Sequence, residues 1–274
     1  MCVDIIIPVY NQYERLKFVL EGFSRQETNY HFRIIIVDDG STDELSYNFK
    51  LLCTFDIKYY KLQVNRGRSY ARNFGVKQSD ASIIIFCDGD RIPDYRFVEN
   101  HVNSLTGQKM INIGSPFEIY ESNLERNIER IWETVEGKNH RARLYPYAKK
   151  VDSLYENYEK NKINPLIWLT TYSGNISLHR EVCLEFPFDE NMNKWGLENL
   201  EWGLRMMQAG IKFQRSYSCI NYHLAHRRGE GDYDSGIKEN YGYLIKKYNN
   251  INLIVPLADF ISGKISLAEY MEKI

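Results

Sequence analysis

Ser82-Ile83-Ile84-Ile85-Phe86-Cys87-Asp88-Gly89-Asp90 is an apolar run that ends in two carboxylates. A run this short and this apolar, closed by a charged turn, predicts a strand buried on both faces. Asp88 and Asp90 are two residues apart, so they point to the same side if strand geometry persists. Gly89 between them has no Cβ and lets the backbone bend or a ligand come close. At the C-terminal mouth of a parallel sheet, such a pair offers hard oxygen ligands to a divalent cation that also holds phosphate. Taken alone, the triplet reads first as turn chemistry. The rest of the chain decides between the two.

Upstream, apolar strands are predicted at 3–9 (VDIIIPV), 32–37 (FRIIIV) and 57–64. They alternate with a helix at 13–25, a second from Thr42 or Asp43 to about 53, and a third at 68–77. Leu16, Val19, Leu20 and Phe23 recur at helical spacing in the first helix, and Asn11 is its expected cap. Strand–helix alternation with short connections predicts an α/β fold, a mostly parallel, Rossmann-like sheet flanked by helices. Right-handed crossovers nearly force its topology. Ligands of such sheets collect beyond the carboxyl ends of the strands. Tyr10-Asn11, Asp38-Asp39, Asn65-Arg66 and Asp88–Asp90 all fall there, and this convergence moves the triplet from turn to site.

Downstream, helices are expected at 94–105 and 124–135. Residues 138–164 are basic, tyrosine-rich and aperiodic, which predicts a long loop or short helices bordering the mouth of the site. Short strands are predicted at 167–172 and 176–178, around Gly174-Asn175. A helix at 195–207 is stopped by Gly210. The last strand, 211–217, leads to Tyr222-His223-Leu224-Ala225-His226-Arg227-Arg228. The expected organisation is one domain over 1–235, with a nucleotide-binding half at 1–106 and a sugar- and acceptor-binding half at 107–235. A C-terminal helical extension follows at 236–274.

Composition narrows the function. The 274 residues carry 35 basic and 36 acidic side chains, a formal charge of −1. That balance gives no support to nucleic-acid binding or to wholesale attraction to anionic membranes. The 21 tyrosines suit contacts with sugars and nucleobases, though they fill cores equally well. Five scattered cysteines without C-x-x-C spacing argue against a disulfide framework and a structural zinc site. No apolar stretch approaches the roughly 18–20 residues that span a bilayer, and the N-terminus lacks the basic region of a signal peptide. The expectation is a soluble cytoplasmic protein without a transmembrane segment. Peripheral membrane contact through a loop or the tail stays open.

IIIPVYN (residues 5–11), IIIVDDGSTD (34–43), NRGRSYARNFG (65–75) and FCDGD (86–90) together resemble the family 2 glycosyltransferases of GT-A fold. The likeness covers roughly the first hundred residues and implies a nucleotide-sugar site. It implies that Pro8, Tyr10 and Asp39 hold the nucleobase, Tyr10 by stacking and Asp39 by accepting from a ring N–H such as uracil's. Arg72 would reach toward base or phosphates, and Asp88 would contact the ribose. Asp90 would ligate Mn²⁺ or Mg²⁺ on the diphosphate, which improves the leaving group. The implied donor is a UDP-sugar, and the acceptor a glycan, a peptide or a lipid-linked molecule.

Trp195-Gly196-Leu197-Glu198-Asn199-Leu200-Glu201 resembles the W-G-x-E-[DN]-x-E segment of galactosyl- and N-acetylgalactosaminyl-transferases. The resemblance implies that Glu198, Asn199 and Glu201 are catalytic. Trp195, Gly196 and Asn175 would contact sugar or acceptor. Inverting relatives carry Asp as base where this chain has Asn199, and an amide accepts no proton at neutral pH. Retaining relatives read E-N here, so both stereochemical outcomes stay open, with Glu198 the nearest alternative base. His223 and His226 form H-x-x-H where the resembling enzymes place one or two metal ligands, and imidazole suits Mn²⁺ beside a carboxylate. Which histidine ligates stays open, and Arg227 and Arg228 would clamp the diphosphate. A nucleotide-sugar-binding protein with impaired catalysis is the alternative that Asn199 suggests. A nucleotidyltransferase or a Rossmann dehydrogenase would need a Gly-rich phosphate loop where Pro8-Val9-Tyr10-Asn11 stands.

Overall fold

A computed structural model of the chain describes residues 2–43, 55–161, 164–226, 232–249 and 251–274. Its strands are β1 (Cys2–Val9), β2 (His31–Asp38), β3 (Asp56–Lys61), β4 (Ile83–Cys87), β5 (Arg91–Pro93), β6 (Met110–Ile119), β7 (Arg143–Leu144), β8 (Asn175–His179) and β9 (Lys212–Leu224). Its helices are α1 (Tyr13–Ser24), α2 (Arg68–Gln78), α3 (Phe97–Ser104), α4 (Ile128–Val135), α5 (Pro146–Val151), α6 (Ser153–Asn161), α7 (Arg180–Glu185), α8 (Glu198–Gln208), α9 (Asp232–Lys247), α10 (Leu257–Ile261) and α11 (Leu267–Glu272). The strands form one sheet in the order β3-β2-β1-β4-β8-β6-β9-β5, and β7 pairs with β6. β3, β2, β1 and β4 run parallel. β8 is antiparallel to both of its neighbours, and β5 is antiparallel to β9.

β1, β2 and β4 each carry a run of apolar residues because both sheet faces are covered there. Ile6, Ile35, Ile84 and Phe86 point into the larger core, with Trp168, Trp202 and Leu204. Their chain neighbours Ile5, Ile7, Ile34, Ile36, Ile83 and Ile85 point the other way, onto Leu16, Val19, Leu20 and Phe23 of α1 and Phe97 of α3. Each fully buried isoleucine contributes about 1.5–3 kcal/mol. The tail joins the larger core through Leu244, Leu257, Phe260 and Tyr270, so the predicted extension begins inside a packed helix, α9.

Three predicted elements need correction. Residues 167–170 form a turn of 3₁₀ helix, not a strand, with Thr170 and Thr171 hydroxyls returning to the carbonyls of Ile167 and Trp168. The last strand runs on to Leu224, so His223 lies within it. Asn11 does not cap α1. It adopts φ +51° and its Oδ1 accepts from the Thr42 N–H at 2.8 Å, while Gln12 occupies the cap position. Strands β5, β6 and β7 escaped the sequence reading, β6 because Gly114-Ser115-Pro116 interrupts it like a turn. The helix expected from Thr42 or Asp43 to about 53 lies outside the described residues beyond position 43, as do Arg227 and Arg228. Among the described residues no helix is long and apolar enough to cross a membrane.

Candidate active site

The carboxyl ends of β1, β2 and β4 open into two adjoining cavities. The smaller, about 280 Å³, is lined by Pro8, Tyr10, Asp39 and Asn65 among others. The larger, about 370 Å³, is walled by Tyr145, Tyr147 and Tyr172 and reaches Glu198, Asn199, His223 and His226. Arg68, Asp88, Asp90 and Trp195 line both.

In the smaller cavity, Tyr10 is half exposed at the rim. Asp39 is buried, and its two oxygens accept the backbone N–H groups of Arg66 and Gly67 at 2.8 Å each. Burial raises its pKa despite those bonds. Beneath it, Asp38 is gripped by the hydroxyls of Tyr13 and Tyr59 and by the Ser41 N–H. This buried group fixes the turn that presents Asp39.

Asp90 is the meeting point. Its Oδ2 lies 3.3 Å from His223 Nε2, 3.6 Å from His226 Nε2 and 3.3 Å from Gln12 Nε2. One ligand atom from each of Asp90, His223 and His226 falls within 4.8 Å of the others. Burial would raise the Asp90 pKa, but the His223 charge and the bonds from both histidines hold it well below the usual carboxylate range. Burial would lower His223, and the Asp90 and Glu118 carboxylates outweigh it and hold the imidazole above its ordinary value. One carboxylate and two imidazoles converging on one point suit a borderline-hard divalent cation such as Mn²⁺. Both histidines therefore share one position, where the sequence left the choice between them open.

Asp88 and Arg72 are tied to each other. Arg72 is almost fully buried, with Nη2 2.9 Å from Asp88 Oδ1 and Nη1 3.2 Å from Glu198 Oε1. Burial pushes Asp88 up, while Arg72 and Arg68 bring its pKa below the usual value. Arg72, expected to reach base or phosphates, instead bridges two carboxylates. Arg68, one turn earlier on α2, lines both cavities.

The Trp195-Gly196-Leu197 turn delivers Glu198 to the larger cavity. Gly196 has φ +91° and Leu197 φ +71°, a left-handed conformation that costs a bulky residue on the order of 1–3 kcal/mol. Glu198 is buried, and its Oε2 has no hydrogen-bond partner among the described residues. The Asn199 amide donates to the Thr171 carbonyl. Glu201 does not join them. Its carboxylate accepts from Arg205, Lys247 and Tyr248, tying α8 to α9. Asn175 is likewise directed away from the cavities. It is fully buried, donates to Cys219 O and Asn221 Oδ1, and receives His101 Nε2 at 3.0 Å. These two placements correct the roles expected of them: both side chains are spent on internal bonds.

The sequence model of glycosyl transferase family 2 matches residues 4–175. The chain belongs to that family. A glycosyltransferase named YfnE from Bacillus subtilis is 26% identical over 92% of this chain and 71% of its own length. A hyaluronan synthase from Pasteurella multocida is 25% identical over 99% of this chain, which spans only 31% of that relative. Among solved structures, S. aureus TarS 1–349 superposes with a TM-score of 0.59 at 15% identity, over 100% of this chain and 71% of that one. The mannosyltransferase PcManGT from Pyrobaculum calidifontis, in complex with GDP-Man and Mn²⁺, gives 0.56 at 15% identity, over 89% and 61%. These likenesses establish the GT-A fold. This family 2 glycosyltransferase therefore binds a nucleotide-sugar donor and an acceptor. Its sequence left several site residues unannounced: Gln12, Arg91, Glu118, Tyr145, Tyr147 and Tyr172. Tyr145 and Tyr147 do fall in the tyrosine-rich stretch expected at the mouth.

Proposed function

We propose that the enzyme transfers a hexose or N-acetylhexosamine from a UDP-sugar to a glycan, peptide or lipid-linked acceptor, with a divalent cation held by Asp90, His223 and His226. The convergence of those three residues beside the Asp39 cavity carries the reading. The solved complex of TarS with UDP and that of PcManGT with GDP-Man and Mn²⁺ support it by likeness of fold.

Tyr10 offers a stacking face to the base, and each Asp39 oxygen keeps a lone pair for a ring N–H. Asp88, steadied by Arg72, faces the ribose, and Arg68 reaches the diphosphate. When bound, Mn²⁺ or Mg²⁺ neutralises charge on the departing diphosphate. Trp195 supplies an apolar platform for the donor sugar, and the three tyrosines wall the acceptor side. In the transfer, the C1–O bond to UDP breaks and UDP leaves with the electron pair. The acceptor oxygen bonds C1, and its proton passes to Glu198, the one acid of the W-G-x-E-N-x-E segment that faces the cavity.

A donor panel tests this. UDP-glucose, UDP-galactose, their N-acetyl analogues and GDP-mannose are incubated with Mn²⁺, and diphosphate release is followed. Turnover is expected with a UDP-sugar, and NMR of the product reads the anomer. Turnover confined to GDP-mannose overturns the uracil reading of Asp39. Tight UDP-sugar binding without transfer or hydrolysis identifies a binding protein.

A further inference from the structure

Glu118 lies on β6, directly opposite His223 on β9. Both side chains are buried, and Glu118 Oε2 is 2.8 Å from His223 Nδ1. A carboxylate can only accept, so the shared proton belongs to Nδ1. That assignment turns Nε2 toward Asp90 Oδ2, 3.3 Å away. The other Glu118 oxygen is buried without a hydrogen-bond partner among the described residues, which packing alone does not explain.

The pairing depends on a bulge. Ile113 pairs with Arg215, and Ser115 pairs with Ile220, so two residues along β6 span five along β9. Under the offset that holds before the bulge, Glu118 would face Ile220. A Cβ at Gly114, in the bulge, would fall 2.0 Å from Asn175 Oδ1 and 2.3 Å from Cys219 O. Gly114 and the buried Asn175 thus set the register that puts Glu118 behind His223.

We propose that Glu118 is a positioning residue for the metal site: it fixes the His223 tautomer and ring orientation so that Nε2 faces the cation held with Asp90 and His226. The inference rests on the proposed metal site. An outer carboxylate of this kind orients the imidazole and raises its basicity as a ligand, and its loss typically weakens metal affinity by roughly 10–100-fold.

The test is Mn²⁺ titration of the full chain without donor, by electron paramagnetic resonance, in wild type, Glu118→Ala, Glu118→Gln and Asp90→Ala. Nitrogen NMR of the His223 ring, with diamagnetic Mg²⁺, runs in parallel. Glu118→Ala is expected to lose roughly 10–100-fold in affinity and to release the Nδ1–H tautomer. Glu118→Gln, whose amide oxygen still accepts, is expected to keep the tautomer and lose less. A purely structural Glu118 would lower the melting temperature while leaving affinity and tautomer unchanged, and that result overturns the proposal. Wild-type His223 whose single ring proton sits on Nε2, leaving Nδ1 bare, overturns it as well, even if Glu118→Ala fails to fold. If wild type takes up no Mn²⁺, or Asp90→Ala takes it up equally, the metal reading fails, and the wild-type tautomer still decides the role of Glu118.

Discussion

Glu198 and Asn199 are neighbours in sequence whose side chains end in opposite circumstances. The first keeps a bare carboxylate oxygen at the cavity, and the second spends its amide on a carbonyl. His101 shows the same division between site and scaffold. It is fully buried, bonds Ser177 and Asn175, and burial drives its pKa down to about 3. Below pH 6.5 the unfolded chain takes up a proton that the folded chain refuses, so stability falls with pH until about pH 3. The slope is at most about 1.4 kcal/mol per pH unit. Urea unfolding at pH 7 and pH 5 is expected to show a loss larger by about 2 kcal/mol in wild type than in His101→Gln. Equal losses in the two proteins would contradict it. Residues that announce themselves locally, such as Asp39, Asp88 and Asp90, were legible because strand ends and turns are local. The Arg72–Glu198 and Glu118–His223 pairs were not, since 126 and 105 residues separate their members.

Among the elements, β1, β2 and β4 could be read directly because burial on both faces leaves an unbroken apolar run. β6 could not, since its bulge needs Gly114 and Pro116 follows it, the two residue types that mark a turn elsewhere. Helix α9 also acquires a function the sequence did not announce. Asn240 donates its amide to Gly196 O at 2.6 Å and Lys194 O at 3.1 Å, and Ile237 packs beneath Gly196. These contacts hold the strained turn that aims Glu198. Asn240→Ala is therefore expected to lower kcat/KM by about 10- to 100-fold through misplacement of Glu198, while donor-free Mn²⁺ affinity stays at the wild-type value. Steady-state kinetics beside a Mn²⁺ titration check this; unchanged kcat/KM would show that the turn holds itself.

On the scale of the molecule, the cleft gathers segments from distant parts of the chain: residues 8–12 at the end of β1, 38–39 at the end of β2, 88–91 after β4, 195–199 at the start of α8, and the end of β9. The Asp39 side of the cleft was legible because it repeats one local grammar, strand then polar turn. The Asp90–histidine side depends on β9 crossing the sheet to stand between β6 and β5, a pairing no local pattern encodes. That crossing places His223 and His226 against Asp90, and the proposed catalysis requires it. The direct measurement is diphosphate release from the preferred UDP-sugar across a Mn²⁺ titration, in wild type and Asp90→Ala. Wild type is expected to turn over only with divalent cation and to lose activity in EDTA, with Asp90→Ala at least about 100-fold slower at every Mn²⁺ concentration. Full activity of Asp90→Ala, or wild-type turnover undiminished in EDTA, would contradict the assignment of the site.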